Sequence, residues 1–407
     1  MSAEPAVGAE LVVTVGPVAH GGHCVARHAG RVLFVRHGLP GEQVRVRITG
    51  VGRKGRFLRA DVVEVLAASA DRRSEPCPVA GDCGGCDWQH ATPAASRELK
   101  AAVVAEALDR FAGITLDPAV VVAAVPLDPA GEGADPEPGG APSDGLGWRT
   151  RGTLSVDTHG RAGFLAHRSH RVVATDRCPQ LHPRLSELDL FTRTWSMPRV
   201  GFVAPATGAP QAFDATAAPE SPITERAAGR SWAVAADGFW QVHPGAADAL
   251  VGHVGRMIAA RAGEHLVDLY GGVGLFGVSL AAAVDGLRVT VVEGDRRACA
   301  LAELNAEDLP VTVVRAGVAR WVARPEALAG ADLVVLDPPR TGAGAEVVAA
   351  IAAARPRAVA YVACDPVALA RDLATFRAAG MVVAELVALD LFPTTHHVEC
   401  VAHLIPA

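Results

Sequence analysis

From about Phe239 onward the sequence repeats one pattern, a strand-length apolar run followed by an alanine-rich stretch of helical length. The runs occupy residues 265–269, 288–292, 311–314, 331–336, 358–362 and 381–389. Strands apolar on both faces must be covered on both faces, and strands joined through helices return in the same direction. The alternation predicts a parallel, doubly wound, Rossmann-like α/β sheet over residues 236–407. Ligands bind such sheets at the carboxyl edge of the strands, so the residues that end each run are the first functional candidates.

The chain has 407 residues, too many for one ordinary domain, and its earlier part reads differently. Residues 11–15, 31–35, 43–48 and 60–65 are rich in β-branched residues, with Gly16-Pro17, Gly21-Gly22 and Pro40-Gly41 at the turns between them. This predicts a small OB-like β-barrel over residues 1–66. The order Gly-x-Val-Ala-His-Gly-Gly, Gly-Arg-Val-Leu-Phe-Val and Leu-Pro-Gly-Glu-Gln-Val resembles a TRAM domain, which implies RNA binding. Arg45, Arg47, Arg53, Lys54, Arg56 and Arg59 form a basic run without an acid, and a second basic stretch covers 149–177. The whole chain, at net charge −6, does not carry the signature of a nucleic-acid binder.

Residues 67–235 read as a central α+β domain. Pro93 opens a helix predicted to run to Phe111, with Gly113 after its end. Strands are expected at 153–157 and 163–165. Residues 126–147 hold five acids and no base among prolines and glycines, which predicts a flexible acidic loop.

Three strand ends carry chemistry. The first, Asp268-Leu269-Tyr270-Gly271-Gly272-Val273-Gly274, is a glycine-rich strand-to-helix turn that exposes backbone N–H groups. It is neither G-x-G-x-x-G nor a P-loop. Glu293 closes the next strand, where a carboxylate can accept from ribose hydroxyls. The second, Asp337-Pro338-Pro339-Arg340, is a rigid acidic turn. The third is Cys364, in Tyr361-Val362-Ala363-Cys364-Asp365-Pro366. A cysteine at this edge suits methylation of uracil carbon 5, which is too weak a nucleophile to react unaided. Addition of a thiolate to carbon 6 creates an enolate, and a base must later remove the carbon 5 proton. Glu399 is the base candidate, with His396 and His397 as rivals, and Cys400 is a rival nucleophile.

Residues 239–407 resemble the RNA uracil-5 methyltransferase family. Phe239-Trp240-Gln241-Val242-His243-Pro244, the three strand-end motifs and Phe392-Pro393-Thr394-Thr395-His396-His397-Val398-Glu399 carry the resemblance. It implies S-adenosylmethionine bound by Gln241, Tyr270, Gly272, Glu293 and Asp337, with Cys364 as nucleophile and Glu399 as base. The chain departs from the family at Asp365 and His243, each in place of a usual asparagine, and at Leu275, where some members place a cofactor-contacting asparagine. An RNA cytosine-5 methyltransferase shares the covalent logic, but its paired Pro-Cys and Thr-Cys motifs are not found. An RNA-binding protein with a dead methyltransferase domain would not need Gln241, Asp337, Cys364 and Glu399 together.

Cys77, Cys83, Cys86 and the distant Cys178 are four candidate thiolate ligands. Their spacing allows a zinc ion or a cubane iron–sulfur cluster. The family resemblance implies one 4Fe-4S cluster, tying the loop after the barrel to the central domain. No apolar run of about 18 residues lacks a breaker, and residues 1–10 lack the regions of a signal peptide. The chain is therefore expected to be cytoplasmic and monomeric, with reduced cysteines. Its expected partner is RNA, ribosomal in preference to transfer RNA.

Overall fold

Period-two alternation in the first 67 residues produces strands Glu10–Thr14 (β1), Val18–Ala19 (β2), His23–His28 (β3), Arg31–Arg36 (β4), Gln43–Val51 (β5) and Phe57–Ala67 (β6). In the computed structural model, which describes residues 6–52, 55–116, 119–127, 144–217 and 219–407, they form one sheet in the order β1-β5-β6-β4-β3-β2. Leu33, Val35, Val44, Val46 and Ile48 point into its core. The alternate residues Arg45 and Arg47 point outward and meet acids from neighbouring strands, Glu64 at 2.8 Å and Glu10 at 2.9 Å. Two of the six basic residues in the run, Arg45 and Arg47, are therefore neutralised locally, which its linear sequence concealed. Arg53 and Lys54 lie outside the described residues, as does most of the predicted acidic loop.

Helix α1, Pro93–Ala107, starts at Thr92, whose hydroxyl accepts from the Ala95 N–H. It is shorter than expected: Leu108–Ala112 widen into a π-turn closed by Gly113 at φ 59°. Strand β7, Val122–Ala124, follows. The central sheet contains Arg151–Val156 (β8), Ala162–Leu165 (β9), Val172–Ala174 (β10), Arg199–Val203 (β11) and Gln211–Asp214 (β12), in the order β10-β9-β8-β11-β12. A hairpin of Ile223–Ala227 (β13) and Arg230–Val234 (β14) leads out of it.

The rest alternates as the sequence predicts: Ala246–Ile258 (α2), His265–Leu269 (β15), Leu275–Ala283 (α3), Arg288–Glu293 (β16), Arg296–Asn305 (α4), Val311–Arg315 (β17), Val318–Val322 (α5), Leu333–Leu336 (β18), Ala345–Ala354 (α6), Ala358–Ala363 (β19), Pro366–Ala378 (α7), Met381–Asp390 (β20) and Glu399–Pro406 (β21). The eight-stranded order is β17-β16-β15-β18-β19-β21-β20-β7. Val267, Leu269, Val334, Leu336, Val359 and Tyr361 fill the core on one face. Leu266, Leu333, Val335, Ala358, Ala360 and Val362 fill the other. Two features depart from the expected alternation. No helix lies between β20 and β21, so β21 returns antiparallel, between β19 and β20. Strand β7, from the central stretch of the chain, pairs parallel with β20.

Candidate active site

The carboxyl edges of β15, β16, β18 and β19 converge. After β15, Tyr270 adopts a positive φ of 59°, and a Cβ on Gly271 would meet Val291 Cγ1 at 2.4 Å. The turn thus needs glycine to pass beside the next strand. The Gly272 N–H donates to Glu293 Oε2 at 2.9 Å, and the Asp295 N–H to Glu293 Oε1 at 2.7 Å. Glu293 therefore ties the turn together, and each of its oxygens keeps a second acceptor site. Asp268, which sequence reading passed over, accepts from the Gly277 N–H at 2.8 Å. Its Oδ1 is buried without a protein partner. Burial, with Asp337 and Glu293 nearby, pushes its carboxyl up to about 7. Gln241 is buried. His243 Nδ1 accepts from the Gly245 N–H at 3.2 Å in the turn that opens α2, and burial lowers its pKa to about 4, keeping it neutral.

Cys364 follows β19. Strand β19 pairs antiparallel with β21, Ala363 opposite Cys400; this register, continued one residue past the end of β19, sets Cys364 beside Glu399, whose charge acts on the thiol. Asp337, from the end of β18, acts on both electrostatically. Burial pushes Asp337 to about 7. Burial and Asp337 push Glu399 well above the ordinary carboxyl range. Burial, then Glu399 and Asp337, push Cys364 to about 12, with Arg340 opposing. Three acids thus crowd one edge with one nearby guanidinium, and in this state Cys364 is a thiol. The rivals sit differently. Cys400 is fully buried and raised further. His397 is lowered by burial to about 3, too weak a base for efficient proton removal at neutral pH. His396 Nδ1 lies 2.6 Å from Asp87 Oδ2.

Cys77, Cys83, Cys86 and Cys178 line one cavity with Phe164 and Gln180. Sulfur receives donors there: Gln89 Nε2 to Cys86 at 2.8 Å and the Gly85 N–H to Cys83 at 3.4 Å. Arg149 lies beside Cys178, Cys86 and Cys83. Its guanidinium sits 4.9 Å from the Trp148 ring and 5.7 Å from the Phe164 ring. Among the described residues no carboxylate pairs with it, and its Nε is an unpartnered buried donor. A cation without an acid beside four thiols fits an anionic, thiolate-held group.

This loop also grips the catalytic edge, which the sequence did not reveal. The Asp87 and Trp88 N–H groups both donate to the Thr394 carbonyl, at 3.0 and 2.9 Å. The Thr394 hydroxyl donates to Cys86 Sγ at 3.8 Å. Between barrel, loop and sheet lies a cleft lined by His20, His23, Arg149, Arg168, His396 and His397. Among the described residues no helix is long and apolar enough to cross a membrane.

Comparison with known proteins agrees with this architecture. Residues 6–63 match the TRAM domain model, 246–358 the methyltransferase small domain, and 328–406 the tRNA (uracil-5-)-methyltransferase model. An uncharacterized RNA methyltransferase of Streptomyces avermitilis is 44% identical over 442 residues, covering 98% of this chain and 99% of that protein. One of Streptomyces coelicolor is 44% identical over 436 residues, covering 98% and 94%. The crystal structure of Pyrococcus abyssi tRNA (uracil-54, C5)-methyltransferase in complex with S-adenosyl-L-homocysteine shares the fold, at TM-score 0.68 and 21% identity over 97% of this chain and 99% of that one.

Proposed function

The chain belongs to the RNA uracil-5 methyltransferase family with a TRAM domain, and from that premise we propose that it methylates carbon 5 of one uridine through a covalent Cys364 adduct. It is an S-adenosylmethionine-dependent RNA methyltransferase; the position methylated and the covalent route are our reading. The observation that carries it is the β19–β21 register, which sets Cys364, just past β19, beside Glu399 of β21, with Asp337 acting on both.

S-Adenosylmethionine supplies an electrophilic methyl on a sulfonium. Gln241, Tyr270, the Gly272 backbone, Glu293 and Asp337 would hold it, Asp337 by opposing its positive charge. A cation bound against Asp337 would offset the charge that Asp337 and Glu399 place on Cys364, which would favour the Cys364 thiolate. Cys364 Sγ bonds to carbon 6 of the uracil, and the electron pair moves to the carbonyl oxygen as an enolate. Carbon 5 would then take the methyl as its bond to the sulfonium breaks, with S-adenosylhomocysteine as the neutral leaving group. Glu399 removes the carbon 5 proton, the electron pair re-forms the double bond, and the bond from sulfur to carbon 6 breaks. Arg340 balances the negative charge of this edge.

We assign Cys77, Cys83, Cys86 and Cys178 to one 4Fe-4S cluster. Such a cluster cross-links the loop whose Asp87 and Trp88 hold Thr394, so it braces the segment that carries Glu399. The protein works as a cytoplasmic monomer on ribosomal RNA. The match of residues 328–406 to a tRNA methyltransferase model favours tRNA as the second reading.

The test is Cys364→Ala. Methyl transfer should fall to background with S-adenosylmethionine affinity unchanged, and wild type alone should form a covalent complex with 5-fluorouracil RNA. Full activity in the variant ends the covalent reading. Mapping 5-methyluridine in RNA from a deletion strain separates ribosomal from transfer RNA.

A further inference from the structure

Outside the active site and at the edge of the cysteine cavity, three side chains converge where the barrel meets the cysteine loop. His37 follows β4, Glu75 precedes Cys77, and His90 follows Gln89. One ligand-type atom from each lies within 4.8 Å of the others, and His90 Nδ1 is 3.8 Å from Glu75 Oε1. His90 is fully buried. Neither of its ring nitrogens has a hydrogen-bond partner among the described residues, and His37 Nε2 is buried and unpartnered as well. Buried polar atoms are nearly always matched, so three unmatched imidazole nitrogens in one small space require an explanation.

Burial keeps both rings neutral, His37 near 4 and His90 near 3, so each presents a lone pair. Of the guanidiniums that act on the two rings, Arg72 is already taken by the Glu42 carboxylate at 2.6 and 2.8 Å, and Arg36 donates to Asp61 at 3.4 Å. Each is partly offset by its own carboxylate and therefore opposes a further cation only weakly. Two imidazoles and a carboxylate are the donor set of zinc-type divalent ions.

We propose that His37, Glu75 and His90 form a divalent metal site, of the type zinc fills, that fastens the barrel to the cysteine loop. Water completes the coordination. The ligands come from both sides of a border between structural units, so the ion holds the barrel against the loop whose Asp87 grips His396. The site is separate from the reaction and from the four thiols, although His37 and Glu75 also face the cysteine cavity.

The experiment uses full-length protein with its iron loaded anaerobically, dialysed against zinc ions and then against a weak chelator. Zinc and iron are measured on the same sample by elemental mass spectrometry. One zinc per chain is expected, with nitrogen and oxygen neighbours in X-ray absorption at the zinc edge. Glu75→Gln, which keeps size and hydrogen bonding, and His37→Ala should each lose at least about 10-fold in zinc affinity, the smallest loss seen even when an outer partner of a site is removed. Iron content and S-adenosylmethionine affinity should stay unchanged in both. No retained zinc, or equal zinc in wild type and Glu75→Gln, overturns the site and leaves the imidazoles matched by water. Zinc with sulfur neighbours and no iron overturns it too, and would separately refute the iron–sulfur assignment.

Discussion

His20 Nε2 of the barrel lies 3.0 Å from Asp365 Oδ2, joining residues 345 positions apart. Asp365 is also the N-cap of α7, accepting from the Val367 and Ala368 N–H groups at 3.0 and 2.8 Å. The residue next to Cys364 thus anchors the following helix with one oxygen and holds the barrel with the other. Its departure from the family's asparagine has a physical partner in this chain.

His20→Ala should raise KM for RNA by about 2- to 5-fold, the scale of an exposed ion pair, with little change in kcat. The pH dependence has a defined sign. The hydrogen bond to Asp365 raises His20 above its ordinary 6.5, so its stabilisation is complete below 6.5 and lost as pH rises through the raised value. Asp365 is lowered, against burial, by its bond to His20 and by the helix N–H groups, so its stabilisation is lost on acidification below 3.8. Thermal unfolding from pH 5 to 9 should show the variant losing its deficit at the alkaline end; a deficit independent of pH removes the ion pair from the account.

Glu399→Gln should trap the reaction after methyl transfer, because glutamine keeps the shape but cannot take the carbon 5 proton. A methylated RNA–protein complex should persist on a denaturing gel, with turnover reduced by about 10²- to 10⁴-fold. The base must be ionised and burial raises Glu399, so the wild-type rate should climb with pH well above the ordinary carboxyl range. Normal turnover in the variant transfers the role elsewhere.

Lys100→Met should destabilise the protein by about 3–5 kcal/mol, the cost of breaking a buried ion pair by removing one partner. Lys100 is fully buried, with Nζ 2.5 Å from Asp390 Oδ1 and donating to the Phe392 carbonyl at 3.0 Å. It ties α1 to the segment leading to Glu399. Lys100→Met with Asp390→Leu should recover most of the loss in urea unfolding. A single variant as stable as wild type refutes the pairing.

Protein purified without oxygen should be brown and hold about four irons per chain. Cys83→Ser should lose colour and folded yield. Stoichiometric zinc in place of iron would assign the four thiols to zinc.

The motif at each strand end was legible in the sequence because its chemistry is local. A strand, a glycine turn and a helix put Tyr270, Gly272 and Glu293 at one edge through residues close in the chain or on adjacent parallel strands, and the apolar runs declare which strands are buried on both faces. The sequence alone therefore determined the α/β class, the edge where Asp337 and Cys364 lie, and the barrel before them. Where charge partners come from another strand it misled: Arg45 and Arg47 look free until β1 and β6 bring Glu10 and Glu64 alongside. Only the tertiary structure decided that β21 runs antiparallel and so opposes Glu399 to Cys364. It alone brought Asp87 to His396, His20 to Asp365, and His37 to Glu75 and His90. Those contacts depend on how barrel, loop and sheet dock, and no local period or spacing encodes the docking of segments that lie tens to hundreds of residues apart.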